Sequence, residues 1–494
     1  MGHYDFREYL DKLEKAGEFR RHDGAVDTKL EAGAIIQRLA EQGGPAIQFT
    51  NVDGGPEGAS LVGGTMNRGS RTIWAKVAHV LEVDPQLTYH ALLDEVVRRM
   101  DSTVKPMLVR TGPCKENLIA ADDINLEKML APWIHGEDGG RCLSSWGFTV
   151  VQEPGSNYLV WDVIPHMVDG PKELVAPIAA NGAMGKVFAR HQAAGTPMPF
   201  AIVLGASPVA PLAAAFSRRR GGSSVADIAG GLQRSPMHLV KCETSELLVP
   251  ATAEMVIEGV VRPGRTAPQK SFPGTFGYMT TQDGEAAIWE VTCISHRNKP
   301  IIPFATWGVP ITEMQLARSL DSDIQLKQEF AKKGTPVSGV YTPPWLAGSA
   351  VAVATKVPFT AFSQSIAGIV RMTEGSKNTP YIFVCDDDID VTNPTSLFHA
   401  MGTKCRPGRD TWKVQNTCGA QDSPQLDAAS RALHKGAAMI VDCTWPLDWD
   451  RSIAVPPRVS FDQCYPKELQ EKVLAAWTAG YGFPNESDRP VRGV

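Results

Sequence analysis

The chain has 494 residues, 43% hydrophobic and 21% charged, which at roughly 150 residues per domain makes about three domains with substantial cores and excludes a mini-protein or disulfide scaffold. Its 49 Lys and Arg against 54 Asp and Glu leave a formal charge of −5, spread too evenly to form the basic face that nucleic acid selects. Nine cysteines run from Cys114 to Cys464 with no C-x-x-C pair, a pattern that fits a reducing cytoplasm and neither a zinc ribbon nor a disulfide framework.

The opening MGHYDFREYLDKLEKAGEF is charged from the outset and has no apolar h-region, so it reads as an amphipathic helix and not as a signal peptide. Residues 1–103 read as a small α/β domain, with Leu30, Ile35, Ile36 and Leu39 on a helix and AIQFTNV and SLVGGTM as strands. Residues 104–318 change to short β-branched runs, FTVVQE, FAIVLG, LVKCET, EMVIEGVV and AIWEVTCIS, separated by Gly and Pro turns, with one helical stretch near Gly185–Gln192. This predicts a β-rich, barrel-like domain. Its longest apolar tract, AIVLGASPVAPLAAAF, is broken by Gly205, Pro208 and Pro211, short of a membrane span. No membrane partner is expected.

From residue 319 a charged helix closed by Gly334 and Pro336 leads into VSGVYT, SAVAVAT and YIFVCDDDID alternating with helical segments, an α/β domain over 319–464. The chain closes on a helix within 465–483, where Leu469, Val473 and Trp477 recur at i, i+4 and i+8. That face has two readings: it docks on its own domain, or it packs across a subunit interface.

Motifs that carry chemistry are sparse. Asp386–Asp388 lie at a strand end, where carboxylates hold a divalent cation or face water. Arg218, Arg219 and Arg220 before GGSS resemble an anion nest or form an exposed loop, without the P-loop order of residues. Asp162 and His166 are four apart, with Pro165 between them against a shared helix face as a metal pair. Neither G-x-S-x-G, H-E-x-x-H nor G-x-G-x-x-G occurs.

Several tracts, in order along nearly the whole chain, resemble the UbiD family of reversible aromatic and acrylic acid decarboxylases: GPCKEN (112–117), HGEDGGR (135–141), LVKCET (239–244), LVPATAEMVIEG (248–259), DDIDV (387–391), KCRPG (404–408) and YPKELQEKV (465–473). WGVPITEMQLARSL (307–320) and CTWPLDWDRSIAVPPRVSF (443–461) are most similar to large subunits of phenylphosphate carboxylase-type complexes. The resemblance implies an N-terminal α/β domain, a central split β-barrel like that of flavin reductases, and a C-terminal α/β domain whose last helix reaches a neighbouring subunit. It implies prenylated FMN held through its phosphate with a divalent metal, Mn2+, and K+, and an Arg–Glu–Glu network for proton transfer.

At the family's functional positions the chain departs from the pattern. The family's NWSIAR stretch is matched by VWDVIP, so Val160 stands at the metal-binding Asn and Pro165 at the catalytic Arg. A metal-binding His falls at Gly182 or Ala183, and the metal-site Glu is His238. Both catalytic glutamates of EGPFGE become Pro273 and Tyr278 of PGTFGY, and a phosphate-contacting Lys becomes Thr395. The expectation is a cytoplasmic subunit without its own cofactor, beside a catalytic paralogue that carries prenylated FMN, Mn2+ and K+, in a homo- or hetero-oligomer acting on an aromatic compound. Two other readings are kept. One is an active enzyme with an atypical site around Trp161, Asp162, Arg218–Arg220 and Thr395; the other is a pocket reused for another ligand through Arg218–Arg220, His238 and Tyr278.

Overall fold

The computed structural model describes residues 5–216, 223–280 and 284–483. The chain divides into two compact units, Met1–Gly69 with Trp74–Ile324, and Ser70–Ile73 with Gln325–Val494.

The first unit opens with the helix Phe6–Lys15, started by a capping box in which Asp5 and Glu8 satisfy each other's backbone N–H groups. Its face of Phe6, Tyr9, Leu10 and Leu13 is buried. The helix Glu31–Gln42 follows, and Leu30, expected inside it, stands at its N-cap with φ 77°; its amide instead donates to the Trp133 carbonyl at 2.7 Å. A four-stranded sheet runs in the order Phe19–Ala25, Ala46–Asn51, Ser60–Gly63, Ile301–Phe304, the last pair parallel.

The β-rich region forms one antiparallel sheet ordered Leu159–Asp162, Phe148–Gln152, Met198–Leu204, Met255–Pro268, Glu285–His296, Glu173–Ala176, Met167–Val168, with Asn117–Ala120 also on Glu285–His296. The ladder does not close on itself: its two end strands pair with one neighbour each, as a split barrel requires. A bulge between Glu258 and Gly259 bends the long hairpin. Only glycine fits there, since a Cβ on Gly259 would lie 2.0 Å from the Glu290 carbonyl oxygen. The LVKCET run, expected in this sheet, pairs elsewhere, in a small sheet of Met107–Leu108, His238–Lys241 and Leu248–Pro250. The expected helix spans Ala183–Ala194.

Two buried glutamates explain why LVPATAEMVIEG is so spaced. Glu254 is fully shielded and accepts from Nε and Nη2 of Arg7, at 2.8 and 2.7 Å, and from the Ile301 amide at 3.0 Å. Glu258, four residues on and inside the strand Met255–Pro268 that Glu254 precedes, accepts the amides of Glu243 and Thr244 at 2.8 and 2.7 Å and so closes the LVKCET turn. Each carboxylate is buried because it is paired.

The second unit is built on a five-stranded sheet: Gly339–Tyr341, Ala350–Thr355, Tyr381–Asp386, Lys435–Cys443, Thr411–Cys418. The middle three strands are parallel, and Ala350–Thr355 is buried throughout, as expected where helices cover both faces. Past Thr444 no described residue is buried. The closing helix is Lys467–Ala476, with Trp477 at its C-cap, still in right-handed helical conformation. Leu469 is 42% and Leu474 60% exposed, while Val473 and Trp477 are partly covered.

Candidate functional site

In the first unit the positions singled out from the sequence sit on well-defined elements. Val160 and Trp161 lie in the strand Leu159–Asp162, which pairs with Phe148–Gln152. Trp161 is buried and stacked on Phe148 at 4.6 Å, and Val160 is a buried aliphatic with no ligand atom. Pro165 follows in the loop. His166 is not one of a metal pair with Asp162: the strand ends at Asp162, and His166 turns inward, bonded to Ser144 Oγ at 2.8 Å and edge-on to Trp289 at 4.6 Å. Burial pushes its imidazole down to about 3, so it is a neutral core group.

Ala183 is the first residue of the helix Ala183–Ala194 and is exposed. His238 starts the strand His238–Lys241 and lines a cavity of about 20 Å3 with Ser207, Gln233, Ser235 and Thr252, room for about one water. Pro273 and Tyr278 bracket a tight loop. The Gly274 amide donates to the Tyr278 carbonyl at 2.8 Å, Pro273 is buried, and the Tyr278 side chain is 61% exposed. Arg218, Arg219 and Arg220 lie outside the described residues.

The second unit contains a cavity of about 1300 Å3 beyond the carboxyl ends of its parallel strands, lined by Asp386–Asp388, Thr395, Lys404, Trp445, Arg451 and Arg458 among others. Thr395 is on the first turn of the helix Pro394–Lys404, its amide satisfied by Asn393 Oδ1 at 2.9 Å. The acidic tract, a cation site in one reading of the sequence, already has a cation. Lys404 Nζ lies 2.8 Å from Asp386 and 3.2 Å from Asp388, and 5.3 Å over the Trp445 ring. Burial pushes the Asp386 carboxyl up, and the Lys404 ammonium pulls it back. Among the described residues no group of three or more His, Cys, Asp or Glu is arranged to hold a metal ion.

Two features escaped the sequence reading. Lys404 was seen only as the start of KCRPG, although it closes a helix whose C-terminus favours a cation. The pair His135 and Asp138, bonded through Nδ1 at 3.0 Å, was present as H-x-x-D within HGEDGGR; the i, i+3 spacing of a tight turn was its only signal.

Residues 10–96, 107–310 and 322–443 match the N-terminal, Rift-related and C-terminal domains of the 3-octaprenyl-4-hydroxybenzoate carboxy-lyases known as UbiD. The chain is 28% identical over 97% of its length to pyrrole-2-carboxylic acid decarboxylase of Pseudomonas aeruginosa, covering 98% of that protein. It is 24% identical, over the same share of each chain, to ferulic acid decarboxylase 1 of Saccharomyces cerevisiae. The fold is shared with vanillic acid decarboxylase of Sedimentibacter hydroxybenzoicus, with a TM-score of 0.83 at 24% identity over 97% of this chain and 100% of that one. It is also shared with HmfF of Pelotomaculum thermopropionicum in complex with prenylated FMN, with a TM-score of 0.78 at 24% identity over 92% and 97%. No helix among the described residues is long and apolar enough to cross a membrane.

Proposed function

Because the chain belongs to the UbiD family of carboxy-lyases, we propose that it serves the carboxylation or decarboxylation of an aromatic acid as a subunit that keeps the family scaffold without a prenylated-FMN and metal site of its own. The cofactor, with Mn2+ and K+, then belongs to a catalytic paralogue in a cytoplasmic hetero-oligomer, and phenylphosphate-type compounds are the first substrates to try.

One observation carries this reading: the donor set does not fit the group. A hard divalent cation takes carboxylate, carbonyl and water oxygens. The three family positions offer a buried valine side chain at Val160, a methyl group at Ala183 and an imidazole at His238. A phosphate in a water-poor site without its cations costs several kcal/mol of lost hydration. The proton-transfer positions, Pro165, Pro273 and Tyr278, hold no carboxylate and no guanidinium.

A second reading, an enzyme that binds prenylated FMN through an atypical set and decarboxylates an aromatic acid itself, draws support from the full-length likeness to the Pseudomonas aeruginosa decarboxylase. The ultraviolet–visible spectrum of the protein co-expressed with a flavin prenyltransferase separates the two. We expect no flavin band; a stoichiometric one sinks the first reading.

A further inference from the structure

The turn His135–Asp138 plays no part in the positions weighed above, yet it is built like a device. The Asp138 amide donates to the His135 carbonyl at 3.2 Å, which closes the turn. The Asp138 side chain is fully shielded, and its carboxylate accepts from the His135 amide at 2.9 Å and from Nδ1 at 3.0 and 3.2 Å. A carboxylate at Nδ1 assigns the neutral ring its Nδ1–H tautomer and leaves the lone pair on Nε2. Nε2 is buried and has no hydrogen-bond partner. His166 Nε2 is buried without a partner too, but its Nδ1 faces the neutral Ser144 hydroxyl, whereas the His135 ring is backed by a carboxylate that supports a proton taken up at Nε2.

The surroundings of that acceptor are aromatic. The His135 ring meets Phe272 at 6.0 Å and 65°, and Phe272 meets Trp307 at 5.9 Å and 68°. The turn is pinned to the same segment: Ser271 Oγ donates to the Glu137 carbonyl at 2.7 Å, and the Gly139 amide to the Ser271 carbonyl at 2.9 Å. The dyad therefore stands at the head of the PGTFGY loop, among aromatic rings.

We infer that His135 Nε2 is the hydrogen-bond acceptor, and the base, for a ring hydroxyl of a phenolic ligand. The inference rests on the reading that this chain takes an aromatic compound, and adds which group of that compound is recognised and by what. In the transfer the phenol O–H bond breaks, its electron pair stays on oxygen, and the proton passes to Nε2. The imidazolium so formed faces the Asp138 carboxylate, which offsets its charge. Asp138 is a positioning residue. Phe272, packed at 6.0 Å on the His135 ring and 6% exposed, has to move for a ligand ring to reach Nε2.

The test uses the full chain and a chromophoric probe, 4-nitrophenol, at a pH below its own ionisation, with 4-nitroanisole as the ring that cannot give a proton. We expect wild type to bind both by calorimetry and to raise the phenolate absorption of 4-nitrophenol. In His135→Gln, 4-nitrophenol should bind roughly tenfold or more weakly, the loss of one charge-assisted hydrogen bond, and the phenolate band should vanish, while 4-nitroanisole binds as before. Asp138→Asn keeps the shape of the turn and serves if His135→Gln does not fold; it should diminish the band. Failure of wild type to bind either compound overturns the aromatic-ligand reading and this inference with it. Binding of both without a phenolate band, or a band unchanged in the variants, overturns the inference alone.

Discussion

Replacing Lys404 by methionine tests the electrostatic core of the second unit. The Lys404 side chain is 7% exposed, that of Asp386 11%, and they lie 2.8 Å apart, so methionine, unbranched and one atom shorter, fills most of the space while leaving a shielded carboxylate without its cation. Breaking one partner of a buried pair costs about 3–5 kcal/mol; with Asp388 35% exposed and hydrated, and the Trp445 amide still donating to Asp386 at 3.1 Å, about 3 kcal/mol at pH 7 is expected. The sign of the pH dependence follows from Asp386, whose carboxyl burial already pushes up. A carboxyl raised in the folded state favours folding below its unfolded pKa, and that advantage is lost as pH rises through the folded value. Without Lys404 the carboxyl rises further, so the gap between wild type and variant should be widest near neutrality and shrink on acidification toward pH 4, as Asp386 takes a proton. Urea unfolding monitored by tryptophan fluorescence across that range measures it, and millimolar Mg2+ or Ca2+, with two carboxylates now open to it, should restore part of the loss. A variant as stable as wild type at pH 7, or a deficit that does not change with pH, refutes the argument.

Glu254→Gln removes the acceptor pair for Arg7; since Arg7 is 36% exposed, the cost is discounted to about 2 kcal/mol in chemical denaturation. Trp477 is only half-buried in the single chain, touching Phe483 at 4.9 Å, so Trp477→Ala should change the stability of the isolated chain by no more than about 1 kcal/mol. The same variant should shift the assembly toward smaller species in light scattering at low micromolar concentration; an unchanged mass removes the interface reading of the last helix. Restoring Pro165→Arg and Tyr278→Glu together should yield no turnover of any aryl acid, because the remaining members of a network that acts as a unit are still missing; measurable turnover counts against the cofactor-free assignment.

Much of the architecture was legible because it is written in periodicity. The apolar run at Ala350–Thr355 and the β-branched run after Phe148 report burial directly, and both are strands. What was lost depends on partners distant in sequence. LVKCET has the composition of a barrel strand, but its place is set by Glu258, whose side chain claims the amides of Glu243 and Thr244. Leu30 belongs to the helical pattern by spacing and leaves it because its amide is taken by Trp133. At the candidate site the family tracts named positions without showing what surrounds them. The acid triplet at Asp386 looked open to a metal because the Lys404 side chain, eighteen residues on, is invisible to local reading.

The parallel pairing of Ile301–Phe304 with Ser60–Gly63 has a consequence for synthesis on the ribosome. Ser60–Gly63 is buried in the finished sheet, yet the strand that covers its free edge is made roughly 240 residues later. At about 5–20 residues per second, the nascent N-terminal segment waits on the order of ten to fifty seconds with an apolar edge open to pairing by other chains. Holdase binding to ribosome-bound chains should therefore fall once Phe304 has left the exit tunnel, and not at the end of the first hundred residues.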